Sequence, residues 1–418
     1  MRNTHLAPIG LVAMLALGSL APPAIEAQQP SARRWVTAWG TSQAALGMRA
    51  VTNATVRMIA RVSIPGDAVR IRLDNTFGTT PLTVGKAYLG LRARAATLVA
   101  ASNQPVTFNH AASVTVPPGG SVVSDPVAIK VLGGQDVAVS LYIPETSVRP
   151  SQHGGALVTS YLTADGAGDV ASVETREPFT ATTTSMFWLK AIDVQSSTAT
   201  GAIVALGDSI TDGTCSTLDA HDRWEDWLSV RLALDDAQHG GRNQLKAVVN
   251  EGIGGATLLR EHLQAPPDSP AGVERLDRDV LSHQGVSHVI LFMGTNDIRR
   301  GASAQHVIDG MQDVLQRAKA RGLKVIGVTI IPRHVVNRGV ESPRGAGWSA
   351  ENTGTRNEVN QWIRTKASFD GVIDFDKAVR DPQDPDLLYP PFNCGDGTHP
   401  TPRGYFEMAK SVRLDLFK

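Results

Sequence analysis

Two different residue periods in one chain predict an all-β region followed by an α/β domain built on a parallel sheet. Three observations carry this. Short runs of alternating apolar and polar residues, separated by Pro/Gly turns, fill positions 35–197. Unbroken apolar runs separated by helix-period segments fill positions 200–418. Glycine-rich polar motifs follow the apolar runs in the second part, where such sheets bind ligands.

A chain of 418 residues is long for a single core, so a division into 35–197 and 200–418 is the natural expectation. With 42% apolar and 19% charged residues, both parts have enough material for buried cores. The 40 basic and 40 acidic side chains cancel, so no strong field favours nucleic acid or an anionic membrane as a partner. At the start, Arg2 and His5 precede an apolar stretch at 6–20, with small residues at Ala21, Ala24 and Ala27. This reads as an export signal over 1–27, too short for a bilayer span, and implies a secreted or periplasmic protein.

In the first region Val56, Met58, Ala60 and Val62 alternate with more polar neighbours, as do Val69, Ile71 and Leu73, and Val137, Val139, Leu141 and Ile143. Pro65-Gly66-Asp67, Pro117-Pro118-Gly119-Gly120 and Gly133-Gly134 supply the turns. Strands of this length and spacing predict a β-sandwich or jelly roll. In the second region strand-like runs lie at 202–206, 245–249, 288–292, 324–329 and 372–375. A helix is expected over 304–321, with Val307, Met311, Val314, Leu315 and Ala318 on one face, and another over 403–416. Fully apolar strands alternating with helices imply a parallel sheet covered on both sides.

The first of these strands runs into Gly207-Asp208-Ser209-Ile210-Thr211-Asp212-Gly213. A serine just past a buried strand is held rigidly at the sheet rim with its hydroxyl facing a cleft; the plainer alternative is a helix cap. Asp396-Gly397-Thr398-His399-Pro400 places a carboxylate and an imidazole three residues apart, where the carboxylate can fix the imidazole tautomer. Such a pair also occurs in surface turns and metal sites, but no His-Glu-x-x-His or cysteine cluster offers further ligands, so no metal is expected. Asn250-Glu251-Gly252-Ile253-Gly254-Gly255 follows the second strand, and Gly294-Thr295-Asn296-Asp297 the third. A glycine amide and an asparagine amide suit a developing oxyanion. The glycine run could otherwise be a dinucleotide loop, yet Thr257 stands where a third glycine belongs, and Asn296 could otherwise be a turn former.

In combination these motifs resemble the SGNH hydrolase superfamily, the GDSL-type esterases. Ser209 matches the nucleophile, Gly255 and Asn296 the second- and third-block residues, and Asp396 with His399 the last block. The first block departs only in reading Gly-Asp-Ser-Ile for Gly-Asp-Ser-Leu. The resemblance covers about 200–418 and implies a flavodoxin-like α/β/α fold and ester hydrolysis without cofactor. It assigns the catalytic triad to Ser209, Asp396 and His399, and the oxyanion hole to the Ser209 amide, Gly255 and Asn296. Asp208 would organise the nucleophile turn. The β-rich segment resembles the N-terminal sandwich of a carbohydrate-esterase-like branch. The expected substrate is thus a short-acyl ester on carbohydrate, with a lipase or arylesterase as the alternative. A glycan-binding module with a vestigial site is the alternative of another class.

Other residues carry weaker signals. Arg333 and His334, after the fourth strand, could touch substrate or lie in a solvated loop, and Trp348 could stack on a sugar. Trp224 and Trp227 sit at helical spacing with Leu228 and Leu232, which favours core packing. The acidic run Asp381 to Asp386 reads as a solvated loop sooner than a calcium site, and His153 shows no partner in the sequence. The two cysteines, Cys215 and Cys394, lie six positions after Ser209 and five before His399. A working triad brings those loops together, so an exported protein is expected to join them in a disulfide, against two buried thiols as the alternative.

Overall fold

The computed structural model describes Met1 and residues 33–241, 245–334, 336–337, 340–341 and 348–418. Arg33–Lys418 form one compact unit. Apart from Met1, the segment read as an export signal lies outside the described residues.

The first region is β-structured as expected. One antiparallel sheet orders Arg34–Gly40, Leu189–Ser196, Ala68–Asp74 and Ser121–Val123. A second is centred on Ala54–Val62, Gln135–Ile143 and Lys86–Arg94. Val36, Val69 and Ile71 of the first share a core with Val56, Met58 and Val139 of the second. The alternation read in 56–62 understates burial, because only Arg61 of Ala54–Val62 is not buried. The outer face of that strand is covered: the Arg57 guanidinium donates to Ser140 Oγ (2.8 Å) and the Ala96 carbonyl (2.5 Å), under the Phe179 ring.

In the second region the five parallel strands are Gly201–Gly207, Lys246–Gly252, Val286–Phe292, Lys324–Val328 and Gly371–Ile373. Numbered along the chain, they lie in the order 2-1-3-4-5, the flavodoxin-like arrangement whose switch point falls beside the first strand. Successive residues of that strand serve opposite faces. Ala202, Val204 and Leu206 join the core that continues into the β-rich region, and Ile203 and Ala205 pack under Trp224, Phe375 and Tyr405. Helix Ala304–Ala320 buries the five apolar residues expected of it, and Ser303 caps its start by accepting from the His306 amide. The last helix is shorter than its periodicity implied. It spans Pro402–Ser411, Val412 is extended, and only a 3₁₀ turn follows at Leu414–Phe417.

The β-rich region packs directly on the second parallel strand. A side chain at Gly40 would put its Cβ 2.7 Å from Val249, so only glycine permits this approach. Thr37 exchanges bonds with Gln284, its amide donating to the Gln284 carbonyl (3.0 Å) and its hydroxyl accepting from the Gln284 amide (2.9 Å). Beneath lies a buried ionic cluster. Asp279 accepts from Lys190 Nζ (2.8 Å), Arg275 (3.1 Å) and Arg278 (2.7 Å). Arg275 also donates to the carbonyls of Glu251 (2.9 Å) and Gly207 (2.7 Å). Burial alone would raise the Asp279 pKa, but the charges of Lys190, Arg278 and Arg275 outweigh it and hold the carboxyl well below its ordinary range.

Replacing Asp279 by Ala leaves these cations buried without their shared counter-charge. The Asp279→Ala protein is expected to lose about 3–5 kcal/mol of stability, read as a lower urea midpoint at pH 7; an unchanged midpoint would show that the cluster is not what joins the two regions.

Candidate active site

Ser209 opens a one-turn helix, Ser209–Asp212, directly after the first parallel strand. Asp208 caps it by accepting from the Ile210 amide (3.0 Å), and Gly213 closes it with φ of 95°. The sequence left open whether Ser209 was only a cap; the structure gives the capping to Asp208 and leaves the Ser209 hydroxyl facing a cleft. Gly252 is needed for the neighbouring loop to close in, since a Cβ there would lie 2.2 Å from the Asp212 amide nitrogen.

His399 Nε2 is 2.8 Å from Ser209 Oγ, and His399 Nδ1 is 2.6 Å from Asp396 Oδ2. A carboxylate can only accept, so Nδ1 carries the hydrogen and Nε2 is free to accept from the serine. The other Asp396 oxygen accepts from the amides of Thr398 (2.9 Å) and His399 (2.8 Å). Burial works against ionisation of Asp396, but the hydrogen bond and charge of His399 together with these amides lower its pKa to about 2. The turn is held from beneath by Asn393, whose Oδ1 accepts from the amides of Gly395 (2.9 Å) and Gly397 (3.1 Å). Cys215 and Cys394 form a disulfide, with 6.4 Å between their Cα atoms, that ties the Ser209 loop to the Asp396–His399 loop. The Tyr405 hydroxyl adds a second tie by donating to the Thr214 carbonyl (2.7 Å).

Both expected oxyanion donors border the same cleft, an open space of about 440 Å³ lined by Ser209, Thr214, Gly254, Gly255, Asn296, Arg299, Arg333, Thr398 and His399. Gly255 has φ of +78°, a conformation that glycine adopts without strain. Asn296 Nδ2 donates one hydrogen to the Ala256 carbonyl (2.9 Å), and its Oδ1 faces Arg333 at 3.4 Å. Asp297, unassigned from the sequence, fastens the third-strand loop to the second by accepting from the amides of Leu258 and Leu259, each at 2.9 Å. Burial raises its pKa to about 6 against those two bonds.

Of the other residues singled out in the sequence, Arg333 reaches the cleft, while His334 and Trp348 do not line it. His334 is buried, with its amide donating to the Gly397 carbonyl (3.1 Å), and burial lowers its pKa. Trp348 is buried beneath the Arg333 guanidinium, and its indole donates to Thr353 Oγ1 (3.0 Å), so its ring is used in packing rather than offered for stacking. Trp224 is in the core as expected, and Trp227 packs edge-on against Phe406. In the acidic run, Asp384 accepts from the Asp386 amide (3.2 Å) and Asp386 pairs with Arg356 (2.9 Å). His153 does have a partner. It is buried, and its Nε2 lies 3.0 Å from Asp212 Oδ1. Among the described residues the one cluster of potential metal ligands is Cys215, Cys394 and Asp396, and both of its sulfurs are used in the disulfide.

Residues 205–405 match the sequence model of the GDSL-like Lipase/Acylhydrolase family. No curated protein matches the chain. Among solved structures, it is similar to a carbohydrate acetylesterase from Sinorhizobium meliloti at 18% identity and a TM-score of 0.39, covering 51% of this chain and 97% of that one. It is also similar to an aryl esterase of M. smegmatis (18% identity, TM-score 0.38, 50% and 95% covered). A third is a member of the lipolytic protein G-D-S-L family from Veillonella parvula DSM 2008 (21% identity, TM-score 0.36, 52% and 97% covered).

Asp208 yields a pH prediction. Burial raises its pKa to about 7, although the Ile210 amide and Arg333 favour its charge. A carboxyl whose folded pKa exceeds its unfolded value near 4 contributes stability below pH 4 and loses it as pH rises through about 7. Asparagine keeps the capping acceptor without the charge. Asp208→Asn is therefore expected to gain in melting temperature over the parent as pH rises from 4 to 7, and to hold a constant gain above. Parallel melting curves across that range would refute the assignment.

Proposed function

We propose that this chain, a carboxylic ester hydrolase whose residues 205–405 match the GDSL-like Lipase/Acylhydrolase family, removes short acyl groups from carbohydrate outside the cytoplasm. The Ser209 hydroxyl attacks the ester carbonyl as His399 Nε2, 2.8 Å away, takes its proton. Asp396 stabilises the resulting imidazolium through Nδ1. The amides of Ser209 and Gly255 and the second Nδ2 hydrogen of Asn296 receive the oxyanion. His399 then returns the proton to the leaving alcohol and activates the water that frees the acyl group.

One observation carries the substrate reading. Every residue that lines the cleft at Ser209 is a glycine, a hydroxyl or amide residue, a histidine or an arginine. Such a lining accepts a polar alcohol and a short acyl group, whereas a long acyl chain needs a channel of apolar side chains. The Cys215–Cys394 disulfide supports export, since such bonds persist in oxidising compartments.

Acetate release from acetylated xylan, pectin and chito-oligosaccharides, beside nitrophenyl esters of increasing chain length, tests this. The expected result is acetate from a polymer and activity that collapses beyond short acyl chains; activity rising toward long chains selects a lipase, and nitrophenyl acetate turnover without polymer release selects an arylesterase. Ser209→Ala is expected to abolish turnover. Asn296→Ala is expected to lower kcat by roughly a hundred- to a thousandfold with little change in KM, and a rise in KM at constant kcat would make Asn296 a ground-state contact instead.

A further inference from the structure

His153 belongs to the β-rich region, on strand Ser151–His153. It is buried at the junction with the α/β region, and it takes no part in the chemistry described above. Its two ring nitrogens face two acceptors: Nδ1 lies 2.8 Å from the Ser42 carbonyl and Nε2 lies 3.0 Å from Asp212 Oδ1. Neither partner can donate, so both nitrogens carry hydrogens and the ring is an imidazolium paired with a carboxylate. Although burial opposes the charge, Asp212 raises the pKa of His153, in keeping with that geometry.

Asp212 ends the nucleophile helix, three residues after Ser209. Its second oxygen, Oδ2, accepts from the Gly254 amide at 3.0 Å. That bond uses the Gly254 N–H and leaves the next amide, that of Gly255, for the oxyanion. Gly254 and Gly255 both border the cleft with Ser209. One more bond ties the same two loops, from Asn250 Nδ2 to the Thr211 carbonyl (2.5 Å). The chain of contacts therefore runs from the β-rich region through one carboxylate to the loop that carries an oxyanion donor.

We propose that His153 is a positioning residue for the oxyanion-binding loop, acting through Asp212 on Gly254 and Gly255, so that the β-rich region forms part of the catalytic apparatus. This rests on the acyl-serine reading, in which Gly255 receives the oxyanion. A carboxylate deprived of its buried cation turns toward water, and the Gly254 amide loses its acceptor. Displacement of the donor by about 1 Å costs on the order of a hundredfold in rate. The loss falls on the transition state, because the ground-state carbonyl depends little on that donor.

Kinetics of the full-length chain on nitrophenyl acetate, well below the melting temperature, test the proposal. In His153→Leu, kcat is expected to fall roughly ten- to a hundredfold with KM within about twofold. In His153→Gln the amide nitrogen can replace Nε2 as donor to Asp212, and kcat is expected to return to within about fivefold of the parent. If His153→Leu lowers the melting temperature but keeps kcat within about threefold, His153 only supports the fold and the proposal fails. It fails equally if Leu and Gln variants are slowed alike. Should His153→Leu not fold, Asp212→Ala decides in its place, since it removes the same acceptor from Gly254; a kcat within about threefold of the parent overturns the proposal. Ser209→Ala, run alongside, keeps the two readings apart. Retained turnover there refutes the acyl-serine mechanism, whereas a silent His153→Leu beside an inactive Ser209→Ala refutes only the positioning role.

Discussion

A carboxylate with no access to water has to be matched by cations, and the way Asp279 is matched organises this molecule. Its partners come from both regions: Lys190 from the strand that leads out of the β-rich part, Arg275 and Arg278 from the segment before the third parallel strand. Arg275 then reaches the carbonyl of Gly207, the last residue before Asp208 and Ser209. The end of the first parallel strand is thus anchored to a charge cluster that neither region could complete alone. Removing water from these groups carries a large desolvation cost, which is tolerable only because the geometry supplies several hydrogen bonds at once.

The same logic extends to the rim of the sheet. Three loops follow the first three parallel strands, and side chains of the first and third loops hold the second. Asp212 holds Gly254, Asn296 holds Ala256, and Asp297 holds Leu258 and Leu259. Groups aimed at a transition state are effective when they need not reorganise during reaction, and cross-fastening of this kind restrains them. The Asp396–His399 turn approaches from the other side, restrained by Asn393, the disulfide and the Tyr405 hydroxyl.

Much of this was legible in the sequence because it rests on local pattern. Unbroken apolar runs located the five parallel strands, and turn residues marked out the β-rich region. The strand-end motifs and one late loop brought Ser209, Gly255, Asn296 and His399 to one cleft, with Asp396 bonded to His399. What escaped depends on tertiary partners. His153 had no visible partner because Asp212 is 59 positions away, and Asp279 gave no signal because Lys190 is 89 positions away. Trp348 suggested a stacking platform from its loop context, but burial under Arg333 is a property of the packed chain. The end of the last helix was misjudged because apolar residues continue past Ser411 at a similar spacing, while the backbone turns extended at Val412.

The distance along the chain between Ser209 and His399 has a consequence for synthesis. The two are 190 residues apart, and His399 lies near the end of the described fold. At about 5–20 residues per second a ribosome needs roughly 10 to 40 s to pass from one to the other. Throughout that interval the serine has no imidazole to accept its proton and no second loop to close its cleft. The nascent chain therefore lacks the Ser209–His399 pair until its last stretch is made, and the pair can form only once the Asp396–His399 turn has reached the edge of the sheet.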